Sequence, residues 1–368
     1  MSVLSNDSSR DDIPQDAVAE PARFLGDIHR LRGVAILLIV ATHCVCFFQW
    51  SAHPQLQGAL ADLLDNSTVL FVFISGYLFM HGSGRFSYPR YLLGKLRHVI
   101  LPFLVASIPA VALELRHGSL AFAAPGLHEL SVPAKILYLL LYPGAHVNYA
   151  LWFIPVVTVY YLVSPLMLWV ARQPLRYALL CLLVPVSILM HRPSYAHDHD
   201  LALALYFLPV YLLGMWCRQY RQATLAVIER HFTWFAAAFG AVFVGHLMLS
   251  GHHGKYTFTQ PFEFHGQGAI DWSFVQKLLL LPLLCGLAWR WRHLRLTVLD
   301  YLADVSFTIY FLHLYVIFFA SWLWHWRTPE VSAAGLAALF AAAVLLPCAV
   351  ATSSRRLVPQ WSRSLVGS

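Results

Sequence analysis

The sequence predicts an all-α fold: a polytopic membrane helix bundle of about ten transmembrane helices, with both termini cytoplasmic. Of the 368 residues, 59% are hydrophobic and only 12% are charged, whereas a soluble protein carries about a quarter charged residues. The hydrophobic residues form runs long enough to cross a bilayer. The basic residues concentrate in alternate loops between these runs, and such a distribution indicates membrane topology.

Ten hydrophobic segments are candidate spans. They cover residues 33–50, 67–82, 97–115, 148–170, 175–190, 201–217, 232–250, 274–289, 299–323 and 333–352. One further apolar segment, 134–142, is too short to cross and is predicted to be a re-entrant or interfacial helix.

The distribution of lysine and arginine orients these spans. Six basic residues occupy one set of alternate loops, and the other 19 of the 25 occupy the set that includes both ends of the chain. Because the cytoplasmic side carries the excess, both termini are predicted to be cytoplasmic. The two longest connections, 116–147 and 251–273, then lie on the opposite side, where we expect them to cover a binding cavity.

The remaining composition bounds the domains and excludes some classes of ligand. Residues 1–23 are polar and are predicted to be a disordered cytoplasmic tail, residues 24–356 one membrane domain, and residues 357–368 a short cytoplasmic tail. The net charge of +7 does not indicate nucleic-acid binding, because the basic residues are spread over short loops. The HDHD sequence at 197–200 has metal-binding residue types too adjacent to close one site, so no metal is predicted.

The segment 27–43 carries the main functional signal. Arg32 and His43 are eleven residues apart, so on a helix they share one stripe and lie about 16 Å apart along the axis. A titratable group deep inside a span is by default a functional-site hypothesis, and the alternative is a structural histidine satisfied by a neighbouring helix. A neutral imidazole accepts a proton, which suits a general base. A cation at the membrane edge, on the same helix stripe as this imidazole, suits the binding of a long anionic ligand.

A basic belt lies at the predicted cytoplasmic edge. It consists of Arg30, Arg32, Lys95 and Arg97. Arginine at the start of a span can bind phosphate groups with two hydrogen bonds. The alternative is that these residues set membrane orientation and contact anionic lipids.

Three further spans carry polar or aromatic candidates. Ser75 and Gly76 lie in the middle of the second predicted span, where close helix packing is the alternative interpretation. Trp152 lies in NYALWFIPVV, and its alternative role is to anchor the protein at the membrane interface. Tyr310 and His313 are three residues apart and share a helix face.

Six sequence motifs then suggest a family. In chain order they are LRGVAILLIVATH, VLFVFISGYLF, YLLGKLRHVILPF, LWFIP, YFLPVYLLGM and SFTIYFLH. This order resembles the membrane acyltransferases of the acyltransferase-3 family, from about residue 24 to the tenth span. The chain is most similar to the short, membrane-only kind, such as exopolysaccharide O-acetyltransferases.

The resemblance implies a function and its partners. It implies transfer of an acetyl group from acetyl-CoA, as co-substrate, to a sugar hydroxyl of a bacterial exopolysaccharide or other surface glycan. The protein is then a multi-pass enzyme of the inner membrane without a metal. Its expected partners are a carbohydrate or lipid-linked glycan acceptor, membrane lipids and the polysaccharide-synthesis machinery.

The resemblance also implies site residues. The family's motif residues fall on polar side chains in four spans: Arg32, His43, Ser75, Lys95, Arg97, Tyr310 and His313. The family usually has an acid three residues before the arginine; here that position is His29, and the nearest acid is Asp27.

These assignments predict a mechanism. The phosphates of acetyl-CoA are expected at the basic residues Arg30, Arg32, Lys95 and Arg97, and the thioester near His43, the general base. A donor to the developing oxyanion is expected among Ser75, Tyr310 and His313, and a histidine-acyl intermediate is an open variant. Two alternatives are a transporter or flippase of a lipid-linked or sugar substrate, and an acyltransferase with another donor such as succinyl-CoA. Transporters often show repeated halves, and we find none in this sequence.

Overall fold

The computed structural model describes residues 21–117, 129–141, 148–193, 200–250, 252–255, 257–258 and 270–368. Over this part of the chain the fold is 83% helical, which confirms the predicted all-α class. Its one pair of strands is β1 (Arg192–Pro193) with β2 (Thr257–Phe258), which run parallel.

The described residues form seventeen α-helices. In chain order they are α1 (Pro21–Phe47), α2 (Pro54–Leu64), α3 (Thr68–His81), α4 (Tyr88–Lys95), α5 (Leu101–His117), α6 (Val132–Leu141), α7 (Phe153–Leu162), α8 (Ser164–Ala171), α9 (Leu179–Met190), α10 (Asp200–Gln219), α11 (Arg221–Arg230), α12 (Phe232–Leu249), α13 (Trp272–Arg290), α14 (Thr297–Asp304), α15 (Ser306–Leu323), α16 (Ala333–Leu357) and α17 (Ser362–Leu365). Short 3₁₀ turns lie at Ser83–Arg85, Tyr149–Trp152 and Pro174–Ala178, and the π-helical turn Leu96–Ile100 joins α4 to α5.

Each predicted span overlaps at least one helix of the described residues, but not every one of these helices is long and apolar enough to cross a membrane. Eight helical segments are long and apolar enough to cross a membrane, and a ninth forms if α7 and α8, bent by 61° at their junction, act as one span. The predicted span 175–190 coincides with a shorter apolar segment, Pro174–Met190. The polytopic membrane class is therefore confirmed, whereas ten spans and two cytoplasmic termini stay predictions.

Besides the bend between α7 and α8, one break precedes a predicted span and another lies within one. Helix α2 leads toward the second predicted span, 67–82, and the residues between Leu64 and Thr68 separate it from α3. The predicted span 299–323 is interrupted at Val305, so that α14 ends and α15 begins there. The second break brings the carboxylate of Asp304 and the hydroxyl of Ser306 to the start of α15, beside α1. The short segment predicted at 134–142 is the ten-residue helix α6.

Helices α3 and α10 form the most extensive helix pair of the bundle. A Cβ atom at Gly76 would lie 2.0 Å from the carbonyl oxygen of Tyr211, and one at Gly214 would lie 2.2 Å from that of Phe73. The two backbones therefore touch through a glycine from each helix. This contact explains the glycine in the second predicted span as a packing residue.

Helix α1 lies at the centre of the bundle. It packs against α3, α13, α14, α15 and α16, and it continues without a break from Pro21 to Phe47. One polar face of such a central helix can therefore reach both ends of the protein.

The predicted long connections lie largely outside the described residues, as do residues 1–20 of the predicted N-terminal tail. One described piece, residues 252–255, docks on α2. The buried carboxylate of Asp62 accepts hydrogen bonds from His253 Nδ1 at 2.9 Å and from the Gly254 amide at 2.6 Å. The Lys255 amide donates to Asp65 at 3.2 Å. These bonds fix this part of the connection against the helices that surround the site.

Candidate active site

Arg32 and His43 lie on one stripe of α1, as predicted, and both face α15. Arg32 Nε donates to the hydroxyl of Ser306 at 2.5 Å, and the His43 ring lies 5.2 Å from the ring of His313 between centroids. The contacts advance along both helices in the same direction, so α1 and α15 run parallel here. Eleven residues of α1 separate the two contacts by about 16 Å. The structure thus pairs a cation at one end with two imidazoles at the other.

The imidazole of His43 also meets Tyr149. The two ring centroids are 5.6 Å apart at an interplanar angle of 71°, and Tyr149 Oη lies 3.4 Å from His43 Nδ1. His43 is only partly covered by neighbouring side chains, so a small reacting group can reach it. Tyr149 was not singled out from the sequence, although it stands in the same motif as Trp152.

The second imidazole, His313, has a defined tautomer. It is fully buried, and its Nδ1 lies 3.0 Å from the Ile309 carbonyl oxygen and 2.9 Å from that of Tyr310. Because carbonyl oxygens only accept, Nδ1 carries the proton. Nε2 then presents a lone pair, and it has no hydrogen-bond partner among the described residues. A neutral His313 is therefore an acceptor rather than a donor to an oxyanion.

The 3₁₀ turn before α7 is held against α15. Asn148 Nδ2 donates to the Phe311 carbonyl oxygen at 2.9 Å, and the Tyr310 hydroxyl donates to the Ala150 carbonyl oxygen. These two bonds place Tyr149 next to His43. Tyr310 thus positions the turn beside the imidazoles, and its hydroxyl proton is already engaged.

Trp152 is buried inside the protein, where it packs against polar and aromatic groups. Its ring stacks on Phe207 at 5.8 Å, and the guanidinium of Arg192 lies 4.5 Å from the Trp152 centroid. Arg192 Nη1 donates to Asn66 Oδ1 at 3.3 Å. The charges of Arg192 and Lys255 both act on His43. The sequence analysis does not single out these two cations, which are among the six basic residues of the predicted extracytoplasmic loops.

A carboxyl group stands behind Arg192. Asp271 is fully buried, accepts hydrogen bonds from Tyr206 Oη and the Phe274 amide at 2.8 Å each, and caps α13. Burial raises the pKa of Asp271 to about 6, against the hydrogen bonds and the charges of Arg192 and Lys277. This network connects the position of Arg192 to the start of α13.

A cavity of about 640 Å³ opens at the Arg32 end of the stripe, within the size range of small-molecule sites. Arg32, Ser75 and Lys95 all line it, so the structure brings these three predicted residues together. Lys95 lies 4.7 Å above the ring of Tyr161 and 5.2 Å from that of Tyr91. A smaller cavity of about 310 Å³ shares Arg32 with the first.

The structure does not bring two other predicted basic residues into this cavity. Arg97 is exposed and is not part of the cavity wall. Arg30 bonds to the Asp300 carboxylate at 3.1 Å and to the carbonyl oxygens of Trp291 and Leu294. Arg30 thus fastens the connection between α13 and α14.

His29 faces an acid that comes from another helix. Its Nε2 lies 3.4 Å from Asp304 Oδ1 and 3.0 Å from the Asp300 carbonyl oxygen. The Asp304 charge also acts on Arg32, and Asp304 lines the 640 Å³ cavity. Asp27, the nearest acid in sequence, is buried against a separate apolar cavity of about 280 Å³.

No group of three His, Cys, Asp or Glu side chains among the described residues has an arrangement that could hold a metal ion. Residues 197–199 of the HDHD sequence lie outside the described residues.

Comparison with known proteins identifies the family. Residues 25–352 match the acyltransferase domain that defines the acyltransferase-3 family. Searches of curated proteins and of solved structures find no significant match. The matched range covers most of the chain and includes α1 from residue 25 onward, the cavity residues up to Phe307, and His313 of α15. The chain therefore belongs to the acyltransferase-3 family, and it is a membrane acyltransferase.

Proposed function

We propose that this protein is an O-acetyltransferase of the bacterial inner membrane, which transfers an acetyl group from acetyl-CoA to a sugar hydroxyl of an exopolysaccharide or another surface glycan. One observation carries this proposal: a basic cavity at Arg32 and a pair of imidazoles at His43 lie about 16 Å apart on one face of α1. Coenzyme A has its phosphates and its thioester at opposite ends of an extended pantetheine arm. The two ends of the stripe match these two chemical groups.

The donor end of the stripe binds phosphate. Arg32 uses Nε to bond Ser306, which orients its planar guanidinium and leaves both Nη groups for an anion. Lys95 adds a second cation to the same cavity. Together they hold the pyrophosphate of acetyl-CoA and direct the pantetheine arm toward His43.

The inner end performs the chemistry. His43 takes the proton of the acceptor hydroxyl, and the resulting oxygen attacks the thioester carbonyl. The tetrahedral intermediate collapses with cleavage of the C–S bond, and the thiolate of coenzyme A takes the proton from His43. Tyr149 Oη and the positive charges of Arg192 and Lys255 favour the negative oxygen that develops nearby.

The test is to replace His43 with Ala and to measure acetate on the secreted polysaccharide by NMR. Loss of a general base reduces the rate by about 10²- to 10⁴-fold, so the polymer should lose nearly all of its acetate. Replacement of the exposed His53 with Ala is the matched control and should leave the acetate unchanged. Normal acetate with normal membrane insertion in the His43→Ala variant would refute the proposal.

The same assay with purified protein distinguishes the alternatives. Membership of the family favours acyl transfer over the transporter or flippase hypothesis. Faster transfer from succinyl-CoA than from acetyl-CoA would mean that succinyl-CoA is the donor. Movement of a glycan across the membrane of proteoliposomes without any acyl-CoA would favour the transporter or flippase hypothesis.

A further inference from the structure

The chain beyond α16 folds back against the bundle. Ser362 and Ser364 of α17 are buried, and the Val366 carbonyl oxygen accepts a hydrogen bond from Thr308 at 2.8 Å. Gly367 has a φ of +77°, and a Cβ atom there would lie 2.9 Å from the Cβ of Phe307. The ring of Phe307 is also the one that the Arg32 guanidinium covers at 5.2 Å. Residues 362–368, which we call the C-terminal wall, therefore pack on the structure that holds Arg32.

The C-terminal wall forms one side of the 640 Å³ cavity. Arg363, Gly367 and Ser368 line this cavity together with Arg32 and Lys95. Arg355, from the last turn of α16, lines it as well, whereas its neighbour Arg356 is exposed and does not. The family match ends at residue 352, so it assigns no role to these residues.

The charges in the cavity are strongly unbalanced. Among the described side chains that line it, five carry a positive charge and one is a carboxylate. The cations are Arg32, Arg90, Lys95, Arg355 and Arg363, and the carboxylate is that of Asp304. The charge of Arg363 acts on Arg32, on Lys95 and on His98. Like charges that share a cavity repel one another, and an anion with several negative charges relieves this repulsion.

The cations occupy two levels. Arg32, Lys95 and Arg355 are partly buried, whereas Arg90 and Arg363 are exposed. In coenzyme A the pyrophosphate lies next to the pantetheine arm, and the 3′-phosphate lies farther out on the ribose. A donor whose arm points along α1 therefore brings its pyrophosphate to the inner cations and its 3′-phosphate to the outer ones.

We propose that the C-terminal wall completes the donor site, and that Arg363 binds the 3′-phosphate of coenzyme A. This inference rests on the proposed use of an acyl-CoA donor. It assigns a binding function to a segment that the sequence indicates only as a short tail. It also predicts that the protein discriminates coenzyme A from dephospho-coenzyme A, which lacks the 3′-phosphate.

The test measures binding rather than turnover. Purified full-length protein in nanodiscs of zwitterionic phosphatidylcholine is titrated by calorimetry with coenzyme A and with dephospho-coenzyme A. The wild type should bind coenzyme A about tenfold more tightly, as expected for a charge-assisted hydrogen bond. Arg363→Gln should weaken coenzyme A binding by about this factor and leave dephospho-coenzyme A binding unchanged.

Matched variants isolate the effect of position from that of charge. Arg356→Gln removes the same charge one residue from Arg355 but outside the cavity, and it should bind both ligands as the wild type does. Arg363→Lys keeps the charge and should retain most of the discrimination. Gly367→Val should displace the C-terminal wall from Phe307 and reduce the discrimination even though Arg363 is still present.

The outcomes separate this inference from the proposed function. Equal binding of coenzyme A by the wild type and by Arg363→Gln would overturn the role of Arg363 and leave the acyl-CoA donor in place. Absence of binding of either ligand by the wild type would overturn the donor assignment itself. The last comparison repeats the coenzyme A titration in nanodiscs that contain anionic phosphatidylglycerol. If Arg363→Gln changes coenzyme A binding only in these nanodiscs, and not in phosphatidylcholine alone, Arg363 binds lipid headgroups and the inference is wrong.

Discussion

Replacement of Gly76 by Ala tests how the helix packing supports the donor cavity. Gly76 touches the backbone of Tyr211 on α10, and its neighbour Ser75 lines the cavity on the other face of α3. An added Cβ would lie 2.0 Å from the Tyr211 carbonyl oxygen and 2.8 Å from its carbonyl carbon. Both obstructing atoms are helical backbone, so no side-chain rotation relieves the overlap. The two helices must separate by more than about 1 Å to reach ordinary contact.

The cost of this separation follows from its position. Overpacking of a well-packed interior costs about 1 to 3 kcal/mol, and we expect the upper end because the obstruction is backbone in the most extensive helix pair. A loss of about 3 kcal/mol is a large part of the stability of an ordinary protein. Movement of α3 also shifts Ser75 at the cavity wall. We therefore expect Gly76→Ala to lower both the stability and the affinity for coenzyme A.

Thermal unfolding in detergent and calorimetric titration with coenzyme A measure the two effects. Gly240→Ala is the matched control, because the space around a Cβ at Gly240 on α12 is open to 4 Å. There, alanine should stabilise the helix by about 0.5 to 1 kcal/mol. If Gly76→Ala unfolds at the same temperature as Gly240→Ala and binds coenzyme A normally, the close contact between α3 and α10 is not required, and the reasoning is refuted.

Two further predictions concern charge. Arg32→Gln should raise the KM for acetyl-CoA by about tenfold with little change in kcat. Arg30→Gln should raise this KM much less, because Arg30 is engaged with Asp300. Equal changes of KM in steady-state kinetics would contradict the different roles of the two arginines. Burial raises the pKa of Asp271 to about 6 from 3.8, so the folded state binds the extra proton between these values and its stability falls as the pH rises through them. Relative to Asp271→Asn, the wild type should gain about 1 kcal/mol of unfolding free energy between pH 7 and pH 5, and a difference in denaturant titrations that does not change with pH would oppose this cause.

The local part of the site could be predicted because it depends on helical period alone. Arg32 and His43 share a stripe on any straight helix, and α1 is continuous between them. The same helical period determines whether Lys95 and Arg97 can face one cavity together. Residues two apart on a helix do not face the same side, and the structure turns Lys95 toward the cavity and Arg97 toward the exterior. The helical period alone is therefore sufficient to place Lys95 and Arg97 on different sides of the helix.

The contacts between distant segments could not be predicted in this way. Tryptophan is a residue type that is common at membrane interfaces, but the ring of Trp152 is covered by Arg192 and stacks on Phe207. The hydroxyl of Tyr149 reaches His43 only because Asn148 and Tyr310 tie the turn to α15. Each of these contacts joins residues at least 40 positions apart. No hydrophobic period or loop charge contains that information.

The acid near Arg32 shows how such a contact changes the interpretation of a motif. Three residues before Arg32, where the resemblance implies an acid, the chain has His29, and the nearest acid in the sequence is Asp27. The structure separates Asp27 from the cavity and places Asp304 beside His29 and within reach of the Arg32 charge. The break between α14 and α15 makes this possible, because it ends α14 at Asp304 and leaves its side chain next to α1. The carboxylate whose charge acts on Arg32 therefore comes from α14, and the spacing of residues along α1 could not reveal it.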